Sequence, residues 1–135
     1  MLIEKIKKYR NSKYNLSCSE TIIYASNEEY DLNLDENTLK TMAPFSGGMM
    51  IEDTCGAITG SLAVLGILFT EDVAHKSDLL KELVKEFFIR FEDILYSRNC
   101  SKLKELHRTD DKGCNDIIYK AGKILDDLVK NNLER

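Results

Sequence analysis

The chain has 135 residues, of which 43% are hydrophobic and 31% charged, and its net charge is -4. This composition argues against a disordered chain, and the length suits one domain with its own hydrophobic core. The negative charge argues against a nucleic-acid partner, because phosphate binding needs a concentrated basic surface. No stretch resembles an export signal or a membrane span, so we expect a cytoplasmic protein.

Apolar residues recur every three or four positions along most of the chain, which predicts helices. We expect an all-α single domain over residues 1–135, a bundle of five to seven helices around a buried central helix. A short first helix should lie at the N-terminus. Ser17 and Glu20 have the spacing of a capping box, which places Cys18 at the first position of the second helix. A third short helix is expected over about residues 35–43.

Residues 55–69, CGAITGSLAVLGILF, carry no charge and predict the buried central helix, because such a helix is apolar on nearly every side. Gly56 and Gly60 stand four residues apart, so a second helix can approach closely along the side where they lie. Asp53 or Thr54 is expected to cap the start of this helix.

The C-terminal half predicts three more helices. A long amphipathic helix should begin after Ser77, and a short helix capped by Asn99 or Ser97 should follow it. The last helix should begin after a polar loop, with Asp110 or Asp111 as its cap.

Four cysteines fall, on these boundaries, in the first turn of four separate helices. Unpaired backbone N–H groups at a helix start favour the thiolate over the thiol, so converging helix starts would form a redox or metal site. The cytoplasm keeps thiols reduced, which makes structural disulfides less expected. No C-x-x-C or zinc-type spacing is present, so buried cysteines without chemistry remain an equal alternative. The four are Cys18, Cys55, Cys100 and Cys114.

The order of these cysteines resembles a known family. Cys18 is followed by the block GG-x5-TCGAxxG over residues 47–60, and then by Cys100 and Cys114. This pattern is similar to the C_GCAxxG_C_C family, whose members are thought to be redox-active, and the similarity extends over about residues 16–129. The resemblance implies a four-cysteine site that works as a dithiol and disulfide or holds an iron-sulfur centre.

The chain departs from the family pattern just before Cys55. Members often have glycines or a basic residue there, whereas this chain has Glu52 and Asp53. Two carboxylates would oppose a thiolate at Cys55. The more ordinary interpretation is that they are helix-start acids directed to water.

These observations predict a redox-active protein that uses Cys18, Cys55, Cys100 and Cys114 for thiol-disulfide or electron-transfer chemistry. Cys55 is the expected member of the reacting pair, and its partner is left open because four cysteines allow three pairings. One alternative is a metal-binding sensor or metal-stabilised domain in which all four cysteines ligate an iron-sulfur cluster or, less expected, zinc. Another is a non-enzymatic helical adaptor of a transport system.

A cofactor would be expected to contact Gly47, Gly48 and Gly56. Similar domains occur in split-Soret cytochromes, but this chain lacks their haem motif, so covalent haem is not expected. Family members are often encoded near membrane transporters, so a redox partner protein or a transporter component is the expected partner. His107 lies seven residues from both Cys100 and Cys114, but its polar surroundings favour a solvent-facing side chain over a ligand.

Overall fold

Seven α-helices follow one another in the computed structural model, which describes residues 1–133. This range has no β-strand, only two isolated backbone bridges. The predicted all-α class is therefore confirmed, with a helix number at the top of the expected range. None of the described helices has the length and apolar character needed to cross a membrane. The helices are α1 Leu2–Tyr9, α2 Cys18–Glu29, α3 Glu36–Lys40, α4 Gly56–Phe69, α5 Asp78–Leu95, α6 Cys100–His107 and α7 Asn115–Asn132.

Two helices begin at the caps that the sequence predicts. The Ser17 side chain accepts a hydrogen bond from the Glu20 backbone N–H, and the Glu20 carboxylate accepts one from the Ser17 N–H at 3.1 Å. Asn99 caps α6 by accepting from the Lys102 N–H at 3.0 Å. These caps fix Cys18 and Cys100 as the first residues of α2 and α6.

The predicted caps of α4 and α7 are wrong, because a cysteine occupies each capping position. Cys55 is the N-cap of α4, and its backbone carbonyl accepts hydrogen bonds from the N–H groups of Ile58 and Thr59 at 3.0 and 3.2 Å. Cys114 is the N-cap of α7. The residues before it form a turn that closes on itself by backbone hydrogen bonds between Thr109 and Gly113, of 2.8 and 3.2 Å, which keeps Asp110 and Asp111 within that turn.

The predicted close approach at Gly56 and Gly60 is confirmed, and the neighbouring helix is α2. A Cβ atom on Gly60 would lie 2.8 Å from the carbonyl oxygen of Ser19, and one on Gly56 would lie 3.0 Å from that of Phe45. Farther along α4 the side chains are less covered, and Ile67 is 41% exposed. The helix α4 is therefore not buried on every side.

A buried carboxylate on α7 contacts the start of α1 and the C-terminal end of α2. Asp126 of α7 accepts hydrogen bonds from the Tyr30 hydroxyl at 2.7 Å and from the Leu2 backbone N–H at 3.3 Å. The ammonium of Lys130 lies 3.1 Å from the same carboxylate. Since Tyr30 is the C-cap of α2 and Leu2 begins α1, this contact holds the C-terminal end of α2 and the start of α1 against α7.

Candidate functional site

An open pocket of about 260 Å³ lies where α2 and α7 begin. Cys18, the first residue of α2, and Cys114, the N-cap of α7, both line it. The remaining wall includes three cationic side chains and the backbone at Gly47. The cations are Arg10, Lys104 and Arg108.

Cys18 and Cys114 are neighbouring thiols at this pocket, and the ionisation of one affects that of the other. The interaction with Cys18 is the main reason that the pKa of Cys114 is lowered to about 6. The same interaction raises the pKa of Cys18 well above its ordinary value, and burial acts in the same direction. These opposite shifts favour a thiolate at Cys114 and a thiol at Cys18.

The three cations of the pocket support the charge on Cys114. Burial raises the pKa of this thiol, whereas the positive charges of Arg108, Lys104 and Arg10 lower it. Lys104 also lies 3.3 Å from the Glu52 carboxylate, which keeps its ammonium beside the pocket. The pocket thus provides the electropositive surroundings that reactive cysteines require.

Arg10 is held in place from three sides. Its Nε donates to the Asn115 side-chain oxygen at 2.8 Å, and its Nη1 donates to the Leu16 carbonyl at 2.8 Å and to the Thr21 hydroxyl at 3.3 Å. Because these partners belong to both α2 and α7 or their flanks, one guanidinium aligns the two helix starts that carry the sulfur pair.

Cys55, the member of the reacting pair expected from the sequence, does not line this pocket and is buried. The side chain is only 4% exposed. Burial raises its pKa to about 11 and outweighs the N–H groups of Ala57 and Ile58, which act in the opposite direction. The helix start favours a charge at this position, but the loss of water costs more.

Cys100 is also buried, against the glycine loop. A Cβ atom on Gly48 would lie 2.6 Å from the Cβ of Cys100, so only glycine fits there. Burial raises the pKa of Cys100; Lys104 lowers it, while Glu52 and Cys114 raise it. Cys100 is therefore a protonated thiol at neutral pH.

The four cysteines share one region of the fold without forming one coordination sphere. Charge on Cys55 interacts with Cys18, Cys100 and Cys114, so the sulfurs are electrostatic neighbours. All four are free thiols. Within residues 1–133, no group of three or more His, Cys, Asp or Glu side chains is arranged to hold a metal ion. The arrangement in this part of the chain is a pair of cysteines at an open pocket with two buried thiols nearby, without a preformed four-sulfur metal site.

The three glycines expected to contact a cofactor have different surroundings. Gly47 adjoins the pocket, and a Cβ atom on it would have no neighbour within 4 Å. Gly48 has a φ of 66° and packs against Asp53 and Cys100, while Gly56 packs against the backbone of Phe45. Two of these glycines therefore have a packing role, and cofactor contact stays a prediction.

His107 lies outside the pocket wall. Its Nε2 is 2.8 Å from the Leu95 carbonyl oxygen at the end of α5, so it joins α6 to α5. Lys104 and Arg108 also line the pocket, although the sequence did not mark them as site residues. Both follow Cys100 at intervals of four residues, a spacing that places side chains on one helix face and could have revealed them.

Comparison with known proteins gives one match. A family model described as "Putative redox-active protein (C_GCAxxG_C_C)" matches residues 16–128, which include all four cysteines. No curated protein and no solved structure matches the chain. Because the match covers most of the sequence, the chain belongs to the C_GCAxxG_C_C family.

Proposed function

We propose that the protein is a thiol-disulfide oxidoreductase in which Cys114 attacks a substrate disulfide and Cys18 resolves the intermediate. The observation that carries the proposal is that Cys18 and Cys114 line the same open pocket together with three cationic side chains. A thiol with a pKa of about 6 is a thiolate at neutral pH. Attack on a disulfide requires that ionised form, and it also requires access, which the pocket provides.

In the first step the Cys114 thiolate attacks one sulfur of the substrate disulfide. A bond forms between Cys114 and that sulfur, the substrate S–S bond breaks, and the other half leaves as a thiolate that takes a proton from water. The mixed disulfide no longer carries a negative charge at Cys114.

Loss of that charge prepares Cys18 for the second step. The interaction with the Cys114 side chain and the negative charge there both raise the pKa of Cys18, whereas Arg10 lowers it. Once Cys114 is neutral, its charge no longer opposes ionisation of Cys18. Cys18 then attacks the Cys114 sulfur, forms the Cys18–Cys114 disulfide and passes its proton to the departing thiolate. The substrate has gained two electrons, and a dithiol reductant must return two electrons to the protein.

Cys55 and Cys100 have a supporting part in this proposal. Both are buried and have raised pKa values, so they remain reduced while the outer pair cycles. We propose that the protein acts in the cytoplasm, where dithiol reductants are present. Whether the reductant or the substrate belongs to a membrane transporter stays a prediction.

The test is a reaction of the reduced protein with one equivalent of a small disulfide, followed by acid quenching and peptide mapping by mass spectrometry. The expected product is a Cys18–Cys114 disulfide. In Cys18→Ser the reaction should stop at a mixed disulfide on Cys114. A different disulfide in the wild-type protein, or four unreacted thiols, would contradict the proposal.

A further inference from the structure

The pocket around Cys114 has more positive charges than the single negative charge of a Cys114 thiolate can balance. Arg10, Lys104 and Arg108 line it, and no acidic residue is among its lining residues. The Glu52 carboxylate lies 3.3 Å from Lys104 and offsets one charge. Against a chain with a net charge of -4, this is a local excess of cations.

The two arginines keep their charge available in different ways. Arg10 directs its hydrogen bonds to neutral oxygens of Asn115, Leu16 and Thr21, so no carboxylate offsets it there. Arg108 follows the last residue of α6 and is exposed at the pocket wall. A planar guanidinium at this position can bind a carboxylate through two parallel hydrogen bonds.

The charge balance changes when the mixed disulfide forms. Before the reaction, three cations face one carboxylate and one thiolate, which leaves a net charge of about +1 from these groups. Conversion of the Cys114 thiolate to a neutral mixed disulfide leaves about +2 from the same groups. The intermediate therefore gains stability if the bound half of the substrate carries a negative charge.

We propose that this pocket selects small disulfides that carry carboxylates, and that one half of such a molecule enters it with a carboxylate on Arg108. The proposal rests on the function proposed above and adds the substrate class. The pocket volume of about 260 Å³ suits half of a small disulfide. It lies below the roughly 300–1,000 Å³ of sites that enclose drug-sized ligands.

The test compares three disulfides of different charge: oxidised glutathione, which is anionic, hydroxyethyl disulfide, which is neutral, and cystamine, which is cationic. For each disulfide, the rate at which it oxidises the Cys18–Cys114 pair is measured. That rate is divided by the rate at which the same disulfide reacts with a free small thiol, which corrects for the intrinsic reactivity of the disulfide. The corrected rate should be about tenfold higher for oxidised glutathione than for hydroxyethyl disulfide, and lowest for cystamine. Added salt should reduce the difference.

Arg108→Gln is the decisive variant. Arg108 also lowers the pKa of Cys114, so its loss changes the fraction of Cys114 that is ionised. The quantity measured is therefore the ratio of the rate with oxidised glutathione to the rate with hydroxyethyl disulfide, because a change in the ionised fraction affects both rates equally. We expect this ratio to fall toward 1 in Arg108→Gln and to stay unchanged in Lys123→Gln, which alters an exposed cation on α7 away from the pocket. An unchanged ratio in Arg108→Gln would overturn the carboxylate contact.

The outcomes separate the two proposals. Equal corrected rates for all three disulfides, with a Cys18–Cys114 disulfide in each product, would overturn the substrate class and leave the redox function standing. Absence of that disulfide with every reagent would overturn the redox function itself.

Discussion

The helix α2 meets α7 through one pair of side chains at each of its two ends. At the start of both helices Cys18 and Cys114 line the same pocket, and twelve residues farther along each chain segment the Tyr30 hydroxyl donates to Asp126. Twelve helical residues correspond to ~18 Å, so the two pairs lie far apart. Both pairs link α2 to α7, but only the pair at the helix starts is suited to chemistry.

The difference between the two ends lies in what surrounds the charged partner. Asp126 is 4% exposed and accepts hydrogen bonds from Tyr30 and Leu2, with Lys130 beside it. Burial opposes its ionisation, but these donors outweigh burial and lower its pKa. Cys114 instead faces an open pocket, and its partner is a second sulfur. A charge with fixed partners stabilises the fold, whereas a thiolate with open access can react.

The largest expected effect comes from removing the reactive sulfur. Cys114→Ser should lower the rate of reaction with a small disulfide at pH 7 by about 100-fold or more, because no ionised thiol remains at the pocket. Thermal stability should change little, since serine is a favourable N-cap for α7. Stopped-flow kinetics and thermal unfolding measure the two quantities.

The matched control is Cys55→Ser, which changes the buried N-cap of α4 in the same way. Its rate should stay within about threefold of the wild-type rate, because Cys55 is not ionised at neutral pH. A rate loss as large as that of Cys114→Ser would move the reacting position to Cys55 and remove the contrast between the open and buried sulfurs.

A substitution at Asp126 should change the stability of the fold and leave the reactivity of Cys114 unchanged. Asp126→Ala leaves the Tyr30 hydroxyl and the Leu2 N–H without an acceptor, which should lower the free energy of unfolding by about 2–4 kcal/mol. The rate of Cys114 with a disulfide should not change under conditions where the variant is folded. Urea unfolding measures the loss, and Asp127→Ala, which removes an exposed carboxylate next to it, is the control.

The Asp126 carboxylate should also make the free energy of unfolding depend on pH in the acidic range. Because its pKa is lower in the folded protein, its contribution is fully present above the unfolded pKa of about 4 and is lost as the pH falls through the folded value. Urea unfolding between pH 6 and pH 3 should therefore show a smaller loss of stability in Asp126→Ala than in the wild type. An equal loss would contradict this assignment.

A smaller effect is expected where α4 packs against the start of α2. Gly60→Ala should lower the free energy of unfolding by about 1–3 kcal/mol, because its Cβ would lie 2.8 Å from the Ser19 carbonyl oxygen. Gly66→Ala on the same helix has its nearest neighbour at 3.9 Å and should stabilise by about 0.5–1 kcal/mol. Equal effects of the two substitutions would contradict the close packing.

Local signals in the sequence predicted most of the fold correctly. The capping box at Ser17 and the cap at Asn99 depend on residues within one helical turn, so the starts of α2 and α6 could be located. The spacing of Gly56 and Gly60 predicted that another helix packs closely there. It could not predict that this helix is α2, because no residue near the two glycines in sequence carries that information. The caps at Cys55 and Cys114 were missed because the aspartates before them are held in loops that the spacing does not reveal.

The four-cysteine site stays a prediction, and the reacting sulfur proposed from the structure differs from the one expected from the sequence. Four helix starts were expected to favour four thiolates, yet burial raises the pKa of Cys55 to about 11, whereas Cys18 and three cations lower the pKa of Cys114 to about 6. Burial depends on tertiary packing, which the spacing of cysteines does not contain. The same holds for Arg10, which reaches the pocket from the end of α1.

The ionisation of Cys114 in the native protein is the most direct test. The rate of its alkylation by iodoacetamide, followed by mass spectrometry from pH 4 to pH 10, should reach half of its maximum near pH 6. In Cys18→Ala the midpoint should move upward, because the interaction with Cys18 that lowers the Cys114 pKa is lost. A wild-type midpoint near the ordinary thiol value of about 8.5, unchanged in Cys18→Ala, would contradict the account.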